Sequence, residues 1–166
     1  MVNYSDIHIS DLKNMSLQSF TQVLIHDYYP FIYSEINKLE EYIQNLRVDY
    51  DVEVLDMLQK KIYEEFDELY RKEKLVLFPY IIKLSDEHIQ SENTSALKNT
   101  KVHYTAMLNH ISKAIQIGSD FFIQSNQNHS VIELQTLLSN LKLNMIEIQD
   151  TKEKHFYNHF KEGFAF

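Results

Sequence analysis

Two glycines, Gly118 and Gly163, and two prolines, Pro30 and Pro79, are all the backbone breakers in this chain of 166 residues. Sandwiches, barrels and glycine-rich nucleotide folds need many tight turns, and turns draw on these two residue types. A chain almost without them has to be built from long uninterrupted elements. Leu, Ile, Lys, Glu and Gln dominate those elements, and most of these favour helix. The length suits one domain with a real core but is short for two. The expected fold is therefore all-α, a single domain over residues 1–166 with its core at about 17–160.

Apolar spacing by three and four predicts four helices. The first, over about 17–49, is capped by Ser16 and carries Phe20, Leu24, Tyr28 or Tyr29, Ile32, Ile36, Leu39, Ile43 and Leu46, with Pro30 expected to kink or break it. The second, over about 52–84, carries Leu55, Leu58, Ile62, Phe66, Leu69, Glu73, Val76 and Tyr80, and Pro79 is expected to perturb its last turn. A polar segment at 85–95 reads as a loop. The third helix runs to about residue 124 with Leu97, Tyr104, Leu108, Ile111, Ile115 and Phe122 on one side. Ser130 and Glu133 fit a capping box for the fourth. That helix carries Leu134, Leu138, Leu141, Met145, Ile148, Gln149, Lys152 or Glu153, and Phe156. Short connections between such helices favour an up-down-up-down antiparallel four-helix bundle.

Charge and composition remove several function classes. The formal charge is −8, and no Lys/Arg cluster offers a surface for nucleic acid. With no cysteine, disulfides, thiolate metal sites and cysteine nucleophiles are excluded. The start of the chain, "MVNYSDIHIS", lacks the pattern of an export signal, and no stretch approaches 18 apolar residues, so a cytoplasmic protein without a membrane partner is expected. No phosphate loop can be made from two isolated glycines, and no nucleophile–base spacing stands out, so the chain is not read as an enzyme.

One feature runs against a plain core. The segment 68–79 reads "ELYRKEKLVLFP" and 149–160 reads "QDTKEKHFYNHF". Each places a Lys-Glu-Lys tripeptide inside a helical apolar pattern, with Glu73 and Glu153 at its centre. Carboxylates on facing helices of a four-helix bundle are the usual means of holding two hard metal ions in a core, normally with imidazole beside them.

The segments "DYYPFIYSEINKLEEYI" (27–43) and "RKEKLVLFPYI" (71–81) resemble the hemerythrin-like domain of the repair-of-iron-centres proteins, over roughly 17–160. The resemblance implies a four-helix bundle related to di-iron proteins of the nitrosative and oxidative stress response. It also implies histidines on all four helices and two bridging glutamates. The glutamates fall on Glu73 and Glu153. The histidine positions fall on Tyr29, Tyr50, Leu69 and Gln149, and on or next to Tyr104 with His103 beside it. The imidazole shell is thus replaced by groups that ligate poorly or not at all.

Three functional readings follow. The first is a metal-free bundle with no cofactor, kept for a binding or regulatory role, in which the stranded carboxylates find a Lys, Tyr or amide partner. In it, Tyr29, Tyr50 and Tyr104 would hydrogen-bond to Glu73 and Glu153 across the former site. The second is a non-haem iron protein, di-iron or mononuclear, with an altered shell of Glu73 and Glu153 with Tyr29, Tyr50, Tyr104 or His103. The third is a small-ligand pocket in the emptied core. A bland alternative places both glutamates at the solvent rim, and reads His26, His103, His155 and His159 as surface or locally satisfied, with His8, His88 and His129 on the surface. Aromatic residues are numerous, and an outer groove or the apolar end "EGFAF" (162–166) could bind a protein partner or a second copy.

Overall fold

The computed structural model describes residues 12, 14–125, 128–156, 159 and 160. Among the described residues the fold is all-α, with no strand beyond an isolated bridge in which the Ser91 amide donates to the His159 carbonyl at 3.0 Å. No helix among them is long and apolar enough to cross a membrane. His8 and the 162–166 tail lie outside the described residues.

Four long helical stretches carry the core. The first, α1 (17–46), consists of α-helix Leu17–Val23, a π-helical turn Leu24–Tyr28 and α-helix Tyr29–Leu46. Ser16 caps it as expected, its hydroxyl accepting from the Ser19 amide at 3.2 Å. The second, α2 (53–86), is built the same way: Glu53–Lys72, a π-turn Glu73–Leu77, then Phe78–Asp86. The third, α3, spans Ser95–Ser125 and the fourth, α4, His129–Phe156. α1 and α3 each pack against both α2 and α4. Gln135 of α4 reaches across to α3, donating to the Ile115 carbonyl at 2.9 Å and to Ser119 Oγ at 3.1 Å beside Gly118.

The two prolines neither break nor end their helices. In an α-helix a proline ring collides with the carbonyl four residues back. Here a widened turn precedes each proline: the Tyr29 amide bonds back to Leu24 O ahead of Pro30, and the Phe78 amide to Glu73 O ahead of Pro79. The extra residue in each turn shifts that carbonyl, and the helix continues.

The same widening moves the apolar stripe. On α2 the expected stripe holds through Glu73, but beyond the π-turn the buried residues are Leu77, Phe78, Ile81 and Leu84. Val76 is 54% exposed and Tyr80 only half-buried, so the expected positions are one residue short. On α1 the widened turn buries both Tyr28 and Tyr29, which an α-helical stripe would have forced to compete.

Two further expectations are corrected. On α3 the buried side is Leu97, Thr100, Met107, Ile111 and Ala114, while Phe122 is exposed. Small and polar residues hold core positions there, and so the large apolar residues misplace the face. At the start of α4 the cap is Asn128, whose Oδ1 accepts from the Ser130 amide at 3.0 Å. Ser130 lies inside the helix, and Glu133 faces His129 at 3.4 Å instead of closing a box.

Candidate functional site: a buried carboxylate, ammonium and phenol

Glu73 is the first residue of the α2 π-turn and is 2% exposed. Its Oε1 accepts from Lys152 Nζ of α4 at 2.6 Å, and Lys152 is itself 1% exposed. Its Oε2 accepts from the hydroxyl of Tyr29, the first residue after the α1 π-turn, which is fully buried. One carboxylate thus has an ion partner on one oxygen and a phenol on the other. Burial, then the adjacent Glu73 charge, push the Tyr29 phenol well above its ordinary range, so it stays a donor.

Aromatic rings wall this cluster. Tyr29 meets Phe66 and Tyr70 edge to face at 5.7 and 5.3 Å and lies parallel to Phe78 at 6.5 Å. Tyr29 and Phe78 are the residues immediately before the two prolines, so the paired π-turns set both rings against each other. π-turns within α-helices recur at functional sites, where the extra residue redirects a side chain.

The other sequence candidates do not join. Glu153 is half-buried and accepts from Gln149 Nε2 of its own helix at 3.2 Å. The neighbouring lysine of the same tripeptide enters the core instead. Tyr104 is half-buried; burial, then Asp150 and Glu153, push its phenol up to about 12. Tyr50 lies outside this cluster, between α1 and α2, stacked on Phe121 near the end of α3 at 4.6 Å. The proposed tyrosine network therefore reduces to Tyr29. Leu69, at an expected histidine position, is a core residue at 0% exposure.

His103 binds locally, with Nε2 at 2.6 Å from Lys72 Nζ and Nδ1 at 2.7 Å from Glu65 Oε2. His155 stacks on Phe20 at 4.1 Å and its Nε2 meets the Leu12 carbonyl at 2.8 Å. His26, His88 and His129 are exposed. Among the described residues, no three His, Asp or Glu side chains converge as a metal site would require.

Sequence reasoning left Lys152 and Glu153 as alternatives and took Glu153 for the site. The signal that separates them is spacing: Ile148, Lys152 and Phe156 are four apart, and all three are buried. A lysine in line with two core residues is a better candidate for the buried partner than the glutamate one position further on.

Comparison with family models, with curated proteins and with solved structures gives no match to this chain.

Proposed function

We propose that the chain is a metal-independent, hemerythrin-like four-helix bundle, up-down-up-down and antiparallel, that serves as a binding or regulatory module. The observation that carries this reading is the Lys152 ammonium, 2.6 Å from Glu73 in a site closed to solvent. In a di-iron bundle of the kind the sequence resembles, the cation against that glutamate would be a metal. Here the protein supplies its own.

The donor set does not suit iron. A metal approaching Glu73 would meet the charge of Lys152, and its second carboxylate oxygen is taken by Tyr29. Leu69 offers hydrocarbon where imidazole is wanted, and Gln149 is turned to Glu153. Few nitrogen donors are left to bind a transition metal. The antiparallel arrangement is supported by contacts at one end of the molecule. Tyr50, between α1 and α2, stacks on Phe121 near the end of α3, and Asp49, just after α1, accepts from Asn128 just before α4 at 3.5 Å. A binding role is supported by Leu75 and Val76, which the second π-turn leaves 69% and 54% exposed.

Metal analysis by mass spectrometry tests this, on protein expressed with added iron and purified without chelator. Near-zero metal, a colourless sample and a melting temperature indifferent to chelator are expected. One or two irons per chain would overturn the reading.

A further inference from the structure

Aromatic side chains of α1 and α2 touch one another from the core to the surface. Tyr33 meets Phe66 at 4.8 Å, Tyr70 at 5.9 Å and Tyr63 at 5.6 Å, and Phe66 and Tyr70 in turn meet buried Tyr29. Tyr63 is 40% exposed. Two of these phenols donate to a carboxylate: Tyr29 to Glu73, and Tyr33 to Asp67 Oδ1 at 2.8 Å. Tyr33 and Tyr70 also line an open cleft of about 670 Å³ with Pro30, Asn37 and Lys38, so a small solute reaches the Tyr33 ring.

We propose that the Tyr33–Asp67 pair is a one-electron donor site for small radical oxidants of the azidyl or nitrogen dioxide class arriving from solvent. One electron leaves the Tyr33 ring and reduces the radical to its anion. The phenolic proton crosses to Asp67, leaving a neutral phenoxyl beside a neutral carboxylic acid. A small reductant, a thiol or an enediol such as ascorbate, returns one electron and one proton to the phenoxyl, and Asp67 releases its proton to water.

The setting favours Tyr33 over its neighbours. Burial, then the bond to Asp67, raise its phenol well above the ordinary range, so the electron leaves a protonated ring and the proton needs an acceptor. Asp67 is that acceptor, anchored by Arg71 at 2.6 Å and open enough to exchange its proton with water. Tyr29 is the worse site. Protonating Glu73 would leave Lys152 charged in the core with no counter-ion. The oxidised state therefore stays on the surface side, shared at most with Tyr63 and Tyr70.

Pulse radiolysis with azidyl radicals tests this on wild type, Tyr33→Phe, Asp67→Asn and a control, Tyr42→Phe, each checked for an intact melt. Tyr33→Phe is expected to remove most of the long-lived phenoxyl absorbance, Tyr42→Phe to leave it, and Asp67→Asn to slow its formation severalfold. Equal yields and lifetimes for the two Tyr→Phe variants would overturn the site, and Asp67→Asn behaving as wild type would overturn the proton acceptor. Should a variant fail to fold, mapping of nitrated tyrosines in wild type exposed to nitrogen dioxide decides. Nitration concentrated on Tyr33, Tyr63 and Tyr70 supports the proposal, and an even spread over the 11 tyrosines overturns it.

Discussion

Lys152 of α4 and Glu73 of α2, 79 positions apart in the chain, meet at 2.6 Å with both side chains closed to solvent. Each charge is tolerable in the core only because of the other. Removing one partner of such a pair costs about 3–5 kcal/mol, whereas replacing all the polar members with apolar groups of similar size is often neutral or stabilising. Glu73→Gln and Lys152→Met are each expected to lower unfolding free energy by about that amount. The triple variant Tyr29→Phe, Glu73→Leu, Lys152→Met is expected to recover most of the loss in urea titrations. A triple variant weaker than either single would sink this account.

Tyr29 and Tyr50 separate two views of the polar core. Tyr29 donates to a buried charged oxygen, and such bonds contribute about 1.5–3 kcal/mol. Tyr29→Phe is expected to lose that much, while Tyr50→Phe keeps its ring on Phe121 and changes the melting temperature little. The reverse ranking in thermal melts would restore Tyr50 to the network.

The start of α4 gives a second ranking. Asn128→Ala removes a cap and is expected to cost about 1 kcal/mol. Ser130→Ala, one turn position inside the helix, is expected to cost a few tenths at most, near the scale of helix propensity differences. Denaturant midpoints of the two variants decide between an Asn cap and the capping box that the sequence suggests.

His110 and His159 set a pH dependence. Burial lowers both, and for His110 the Lys61 and Lys113 charges add to it against Glu65. His110 Nδ1 also lies buried with no hydrogen-bond partner among the described residues. Between the lowered folded value and the ordinary value of about 6.5 the unfolded chain binds more protons, so stability rises with pH there. It is expected to be fully present above about pH 6.5 and to fall as acid protonates the unfolded chain first. His110→Gln should flatten the acid side of a stability–pH curve; an unchanged curve would exclude its part.

The helices were largely legible because apolar spacing carries through α1, α4 and the first part of α2. Ile32, Ile36, Leu39 and Ile43 are buried as their spacing requires. Glu73 was legible as a core carboxylate for the same reason. What could not be read was the phase beyond each π-turn, because hydrophobic periodicity assumes a constant advance per residue. Val76 and Tyr80 were misplaced on that assumption. The identity of Glu73's partner also escaped, since a buried lysine has no composition signature and Lys152 sits next to a more familiar ligand type. On α3 the core face carries Thr100 and Ala114, which weigh little in any apolar pattern.

Each π-turn holds one residue more than an α-helix would use, and an α-helix advances about 100° per residue. Deleting one residue within 74–77 would therefore let that turn close to an α-helical one with Phe78, Ile81 and Leu84 still facing the core, but would bring the carbonyl four residues back onto the Pro79 ring. Helices ordinarily tolerate neither insertions nor gaps, but here two of them each absorb a single added residue. A related chain whose helices lack these wide turns would align with this one only if a one-residue gap were admitted inside each helix, just ahead of Pro30 and Pro79.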